Sequence, residues 1–214
     1  MKRLIFVFAI IFLSLSVLPA HAAKELKPIE LKPPRLSEGK LLMEALKERR
    51  SERSFSPRPL SIEVLSDLLW AADGINRPDS GKRTAPSAKN WQEIDIYVAM
   101  EQGLYLYNAV MNTLDPVIAE DIRADVGLQG FTETAPVGLI FVTDLSKMSG
   151  EPDIDDFYSA VDTGFISQNV YLYCASEGLS TVVLGWVNRD KLAERMGLAD
   201  SQKIVLTQPV GYSE

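Results

Sequence analysis

The sequence predicts a layered domain of helices and strands, α/β or α+β, and three observations carry that prediction. Amphipathic helical stretches interleave with strand-like stretches along the chain rather than separating into blocks. Val137 to Thr143 is a continuous apolar run, which suits a central strand covered on both faces. The 214 residues, leader included, fit one domain, and no interdomain linker or long internal repeat divides them.

Residues 1–22 read as an export signal. Lys2 and Arg3 supply the positive start, Leu4 to Leu18 the apolar run, and Ala20-His21-Ala22 a small-x-small cleavage site. The run is short for a membrane span, and no cysteine follows it to carry a lipid. The expected destination is the periplasm or the exterior, with cleavage after Ala22 and no membrane association afterwards. Residues 23–36 follow as a Lys/Pro-rich arm, with Glu25-Leu26-Lys27-Pro28 nearly repeated in Glu30-Leu31-Lys32-Pro33-Pro34. Proline removes a backbone donor and pushes its predecessor out of the helical region, so the arm is extended. It is either a flexible leader or an arm lying on a neighbouring surface. The domain proper spans 37–214.

Ser37 is placed to cap a helix running to about Arg50, with Leu41, Leu42, Ala45 and Leu46 on one face. Ser61 caps a second helix. Leu60 and Leu65 occupy its hydrophobic-staple positions, and Ile62, Leu65, Leu69 and Ala72 form its buried stripe up to Gly74. Ile94 to Met100 alternates as a strand and pairs with Gly103 to Tyr107 across a Glu101-Gln102 turn. Pro116 suits the first turn of a helix reaching about Val126. Phe157 to Glu177 reads as a long helix ended by Gly178, with Leu179 as the following apolar contact. Thr181 to Val187 reads as another buried strand. Asn188 or Asp190 caps a short helix closed by Gly197, and Lys203 to Val210 is the last strand.

Composition excludes several chemistries. The chain carries a formal net charge of −7, and cleavage of the leader makes it more acidic by removing Lys2 and Arg3. An acidic chain with no large basic block repels nucleic acid and anionic lipid. Cleavage also removes His21, the only histidine, so the mature chain has no Ser-His-Asp or Cys-His machinery and no histidine-ligated zinc. The single cysteine, Cys174, forms no intramolecular disulfide, and its apolar helical neighbours predict a buried, inert thiol. Redox or group-transfer chemistry in such a chain requires a cofactor.

Two segments carry candidate binding residues. Glu48-Arg49-Arg50-Ser51-Glu52-Arg53-Ser54-Phe55 concentrates arginines and hydroxyls in an acidic protein. Guanidinium forks and serine hydroxyls at this density suit a phosphate monoester, and a helix C-terminus favours cations before any ligand arrives. A solvated charged helix face is the other reading of the same residues. Arg83-Thr84-Ala85-Pro86-Ser87-Ala88-Lys89-Asn90-Trp91-Gln92 is a loop that can offer hydroxyl, amide and backbone donors to a polar planar ligand, or an ordinary surface loop.

Together these segments resemble the FMN-dependent nitroreductase family. Arg49 to Phe55 resembles its Arg-x-Ser-x-Arg/Lys-x-Phe motif, and Pro86 to Gln92 its Pro-Ser-x-x-Asn-x-Gln loop. Asp162-Thr163-Gly164-Phe165-Ile166-Ser167-Gln168-Asn169 resembles the family's long central helix. Gly178 to Trp186 resembles the segment whose backbone passes the flavin ring. Arg83 to Ala88 and the Gly103 to Tyr107 strand are similar to the branch that includes azoline-oxidising dehydrogenases. The resemblance runs from about Leu41 to Tyr212.

It implies an α+β fold, a mostly antiparallel sheet flanked by helices, and a homodimer with FMN at the interface. Arg49, Arg50, Ser51, Arg53, Arg83, Pro86, Ser87, Ala88, Asn90, Gln92, Leu184 and Gly185 are the implied cofactor residues. Trp91, Phe131 and Trp186 are the implied substrate slot, with core packing as the alternative for each. The implied activity is ping-pong transfer from a small-molecule donor through FMN to a quinone, nitroaromatic or similar acceptor. Two features depart from the family: no basic residue follows Lys203 to reach the phosphate, and no C-terminal extension wraps a partner. Export raises a further point, because nicotinamide cofactors are not expected to be plentiful outside the cytoplasm, and a protein or quinol donor suits that location better. A secreted flavin- or ligand-binding module without turnover, and an oxidase or dehalogenase on the same fold, are the alternatives.

Overall fold

A computed structural model describes residues 25–214. Residues 1–22, expected to be an export signal, and the first residues of the arm lie outside the described residues. The arm's described part lies on its own chain. Its two-residue strand β1 (Ile29–Glu30) pairs with a later strand, the Lys32 N–H donates to Ser66 Oγ at 2.8 Å, and Arg35 pairs with Asp67 at 2.6 Å.

Helix α1 (Leu42–Glu48) is shorter than its pattern suggests. Gly39 has φ +91°, which no right-handed helix accommodates, so Ser37 caps nothing and helical geometry begins at Leu42. Of the expected stripe only Ala45 is buried, whereas Leu41, Leu42 and Leu46 face outward. Helix α2 (Ile62–Asp73) follows its prediction: Ser61 Oγ accepts the Val64 N–H at 3.3 Å and Gly74 closes the last turn. Strands β2 (Ile75–Arg77) and β3 (Lys82–Arg83) form a small hairpin that leads into the 86–92 loop.

Strands β4 (Ile94–Met100) and β5 (Gly103–Asn108) pair across the Glu101-Gln102 turn as the alternation requires. The helix expected after Pro116 is instead strand β6 (Thr113–Ile118), followed only by a short 3-10 turn at Arg123–Asp125. Strand β7 (Val137–Asp144) is central. Helix α3 (Pro152–Glu177) begins earlier than expected, with Pro152 in its first turn, and ends at Gly178 in the left-handed conformation. The strand expected over Thr181–Val187 ends early: β8 is Leu179–Thr181. Beyond it the Val183 N–H goes to Tyr171 OH at 2.9 Å rather than to a neighbouring strand, and only Leu184 returns to the sheet, bridging Thr207. Helix α4 (Arg189–Met196), capped by Asn188, precedes strand β9 (Gln202–Tyr212).

The main sheet has seven strands in the order β1-β6-β5-β4-β7-β9-β8, antiparallel at every pairing. Alternation along β4 divides the core. Ile94, Ile96, Val98 and Met100 pack with Leu68, Leu69, Ile166 and Val170 of α2 and α3. Tyr97 and Ala99 pack on the other side with Phe55, Leu192 and Met196. The result is an α+β layered fold in which α3 lies across one face and carries a cleft at its C-terminal end and a cavity near its middle.

Candidate functional site

The arginine segment is held to the sheet by its backbone. Arg49 caps α1, its N–H donating to Ala45 O at 2.9 Å, and the chain then runs beside β8 and β9. The Glu52 N–H donates to Thr181 O at 2.9 Å and the Ser56 N–H to Tyr212 O at 2.8 Å. Tyr171 joins the two motifs in this region. Its hydroxyl lies 2.9 Å from Ser51 Oγ and accepts the Val183 N–H, so it links the arginine segment to the backbone preceding Leu184 and Gly185. The Arg49 guanidinium stands 5.2 Å from the centre of the Tyr171 ring, a cation–π distance. Sequence reading took Tyr171 as one more residue of an apolar helix. Its spacing from Gly178 places it on the turn that faces the arginines, but no local motif marks it.

A cleft of about 420 Å³ opens here, and Lys40, Lys47, Arg49 and Arg50 supply its positive charge. Its acids are already neutralised. Glu48 pairs with Lys40 at 2.6 Å and Glu52 with Arg50. Lys47 and Arg49 enter no ion pair among the described residues, so they are the cationic surplus of the cleft. Arg53 is exposed and does not line it.

The 86–92 loop lies over a separate cavity of about 210 Å³. Pro86, Ser87, Asn90 and Gln92 line it, with Asp162 and Ile166 of α3 opposite. The Ala88 N–H donates to Asp162 Oδ2 at 2.8 Å, and the Gln92 N–H to Ser87 Oγ at 3.0 Å. Arg83 is committed within this cavity: it pairs with Asp73 at 2.9 Å and donates to Gln92 Oε1 at 3.0 Å. Burial pushes the Asp73 carboxyl up to about 7, against the opposing pull of Arg83. Glu93 at the cavity wall is raised to about 7 as well, by burial first, with the charge of Asp162 adding to it. These buried acids were not singled out from sequence, because an acid next to a loop normally reads as surface.

In one chain the arginine cleft and the loop cavity share no lining residue. Asp162 and Tyr171, which mark them on α3, are about 13 Å apart along the helix axis at the standard rise. The aromatic slot candidates are also dispersed. Trp91 stands edge-on to Tyr158 at 5.9 Å, Phe131 packs on Phe55 at 5.8 Å, and Trp186 is 67% exposed. Cys174 is buried and its thiol is pushed up by burial, away from nucleophilic use. Among the described residues no group of His, Cys, Asp and Glu is arranged to hold a metal ion.

Comparison with known proteins identifies the fold and the family. Residues 46–212 match the family model for the nitroreductase family. The crystal structure of a provisionally named nitroreductase from Ralstonia eutropha is 42% identical, superposes with a TM-score of 0.84, and covers 87% of this chain and 90% of its own. A provisionally named nitroreductase from Methanocaldococcus jannaschii is 29% identical over 86% of this chain and 96% of its own length. The NADPH:FMN oxidoreductase of Vibrio harveyi, solved with NAD+, shares the fold at 20% identity and a TM-score of 0.61, covering 81% of this chain and 69% of its own. The family match spans both the arginine segment and the loop, and on that evidence the chain belongs to the nitroreductase family of oxidoreductases.

Proposed function

We propose that this protein is an exported FMN-dependent oxidoreductase that works as a homodimer. It takes reducing equivalents from one small molecule and delivers them, in turn at the same slot, to an electron-poor acceptor such as a quinone or nitroaromatic. The observation that carries the reading is the cleft at the C-terminal end of α3. It presents Arg49 and Lys47 with no carboxylate partner among the described residues, beside hydroxyls of Ser51 and Tyr171. Unpaired cations beside hydroxyl donors suit a phosphate monoester. A relative of the same fold is named for its use of FMN.

Arg49 and Ser51 would hold the phosphate end and the ribityl chain, with Lys47 adjoining and Arg53, outside the cleft, making the weaker contribution. The Pro86–Gln92 loop and the backbone of Leu184 and Gly185 would flank the ring, and Trp91, Phe131 and Trp186 would border the substrate slot. Bound FMN would supply the redox chemistry that a mature chain without histidine lacks. The protein's own work is to set charge, orient the ring and exclude water. Because the loop cavity and the arginine cleft are separate in one chain, a complete site forms most simply where the cleft of one protomer meets the loop of its partner. Exposed Leu41, Leu42, Met43, Leu46, Phe157 and Phe165 on α1 and α3 support such an interface.

The test is the absorbance of the purified protein and its uptake of FMN. A protein with flavin absorbance that is reduced anaerobically by a donor and reoxidised by a quinone or nitroaromatic meets the prediction. A colourless protein that takes up no FMN removes it. N-terminal sequencing of the native protein tests export: a first residue of Ala23 meets the prediction, and an intact Met1 contradicts it.

A further inference from the structure

The cavity beneath the 86–92 loop holds a group that the reading above leaves unused. Glu93 is 0% exposed and neither of its carboxylate oxygens has a hydrogen-bond partner. Beside it, from α3, stands Asp162, itself only 2% exposed. Asp162 Oδ2 takes the Ala88 N–H. Two ionised carboxylates side by side, both buried, would each be poorly solvated and would repel one another. A proton on Glu93 removes the repulsion and lets its carboxyl donate to Asp162, which still accepts the Ala88 N–H.

The loop needs such an anchor. Lys89, Asn90 and Gln92 have φ of 49°, 57° and 49°, and none is glycine. Side chains in the left-handed region persist only where surrounding contacts over-determine them. The hydrogen bonds that hold it include Ala88–Asp162, Ser87–Gln92, Arg83–Gln92 and Gln92–Gly81. Only the first of these is a hydrogen bond to α3, where Trp91 also stands edge-on to Tyr158.

We propose that Glu93 and Asp162 are positioning residues, that Glu93 carries a proton which it donates to Asp162, and that this proton holds the strained 86–92 loop in its ligand-receiving shape. Loss of the proton sets two charges against each other beneath the loop, and the Ala88 anchor weakens. Charged groups from the surrounding elements face the pair, among them Arg77 of β2 and Lys82 and Arg83 of β3, which line the same cavity. Lys147, from the turn after β7, favours an ionised Glu93 but is shared with Asp95 of β4 at 2.9 Å. Asp73, from the end of α2, is close enough to sense the Glu93 charge and is itself paired with Arg83 of β3. Burial and the charge of Asp162 place the transition near pH 7. The loop is tight below that value and loose above it.

The effect on the loop is independent of any ligand, whereas its effect on ligand affinity rests on the FMN reading. The experiment measures amide hydrogen exchange of the 86–92 segment, corrected for intrinsic rates, at about pH 6 and about pH 8, in the whole protein and in Glu93→Gln. FMN dissociation constants are measured under the same conditions. The wild-type segment is expected to lose about tenfold or more of its protection between the two pH values. Its FMN affinity is expected to fall in parallel. Glu93→Gln, whose amide donates to Asp162 at either pH, is expected to show neither change. Equal protection at both pH values in the wild type overturns the proposal, as does an equal loss in Glu93→Gln. If that variant does not fold, the wild-type series decides alone. Failure to bind FMN at either pH sinks the FMN reading, while the exchange data still decide the proton's role in the loop.

Discussion

Arg49 and Arg53 belong to one motif but stand in different surroundings, and the surroundings set what each substitution costs. Arg49 caps a helix, lies over Tyr171 and lines the cleft, whereas Arg53 is exposed and outside it. Arg49→Ala is expected to weaken FMN binding by about 1.5–3 kcal/mol, the scale of a hydrogen bond to a charged group. Arg53→Ala is expected to cost less. Riboflavin, which lacks the phosphate, is the control. Titration of both flavins into both variants should show the Arg49 loss for FMN only; equal losses for the two flavins would assign Arg49 a purely structural role. Glu93 gives a stability prediction at the same scale. Its folded value lies near 7, above the ordinary 4.5 of a free carboxyl. The folded state therefore holds a proton that the unfolded state releases, and the resulting stabilisation is full below about pH 4.5 and lost as pH rises through about 7. Glu93→Gln, which cannot ionise, should raise the Tm relative to wild type at about pH 8 and lose that advantage by about pH 5. A Tm difference independent of pH would show that Glu93 does not titrate in this window.

At the scale of elements, legibility followed how local the cause was. The Ser61 cap, the β4–β5 hairpin and the Gly178 stop are decided within a few residues, and each forms where its own sequence places it. The misread elements depend on distant partners. Pro116 reads as a helix start, but β1 covers β6 only at Thr113 and Leu114, and the β5–β6 register shifts beside it. An uncovered edge next to a register shift is where a strand tolerates a residue without an N–H. Val183 reads as strand, but a tyrosine hydroxyl from α3 takes its amide. The candidate site divides in the same way. Its motif residues, Asp162 among them, were visible as motifs, whereas the contacts of Tyr171, Asp162 and Glu93 arise only on folding. Gly178 allows a direct test of the local kind. It sits at φ +70°, and a Cβ there would meet nothing within 4 Å. Gly178→Ala should therefore cost only the left-handed backbone penalty, about 1 kcal/mol. That corresponds to a Tm lower by about 2–4 °C in a domain of this size. A much larger drop would mean that the α3–β8 turn bears on more than its own geometry.

At the scale of the molecule, the separation of cleft and cavity makes assembly and cofactor binding one question. One protomer offers cations at the end of α3 and a donor-rich loop near its middle, in two pockets without a common residue. It also leaves Leu41, Leu42, Met43 and Leu46 of the α1 region and Phe157 and Phe165 of α3 exposed, the apolar residues that a buried interface would use. If two copies complete each site, charge placed in that patch must remove both dimer and cofactor, although it touches no motif residue. Leu42→Asp, and separately Phe165→Asp, should yield monomers by light scattering. FMN affinity should fall with the dimer and recover as protein concentration is raised, as mass action requires. Val110 and Met111 are also exposed, but they belong to the β5–β6 turn rather than to α1 or α3. Val110→Asp should therefore leave mass and FMN affinity unchanged. A monomeric Leu42→Asp protein that binds FMN as tightly as the wild type would show that one chain holds the whole site, and would place the apolar patch in another role.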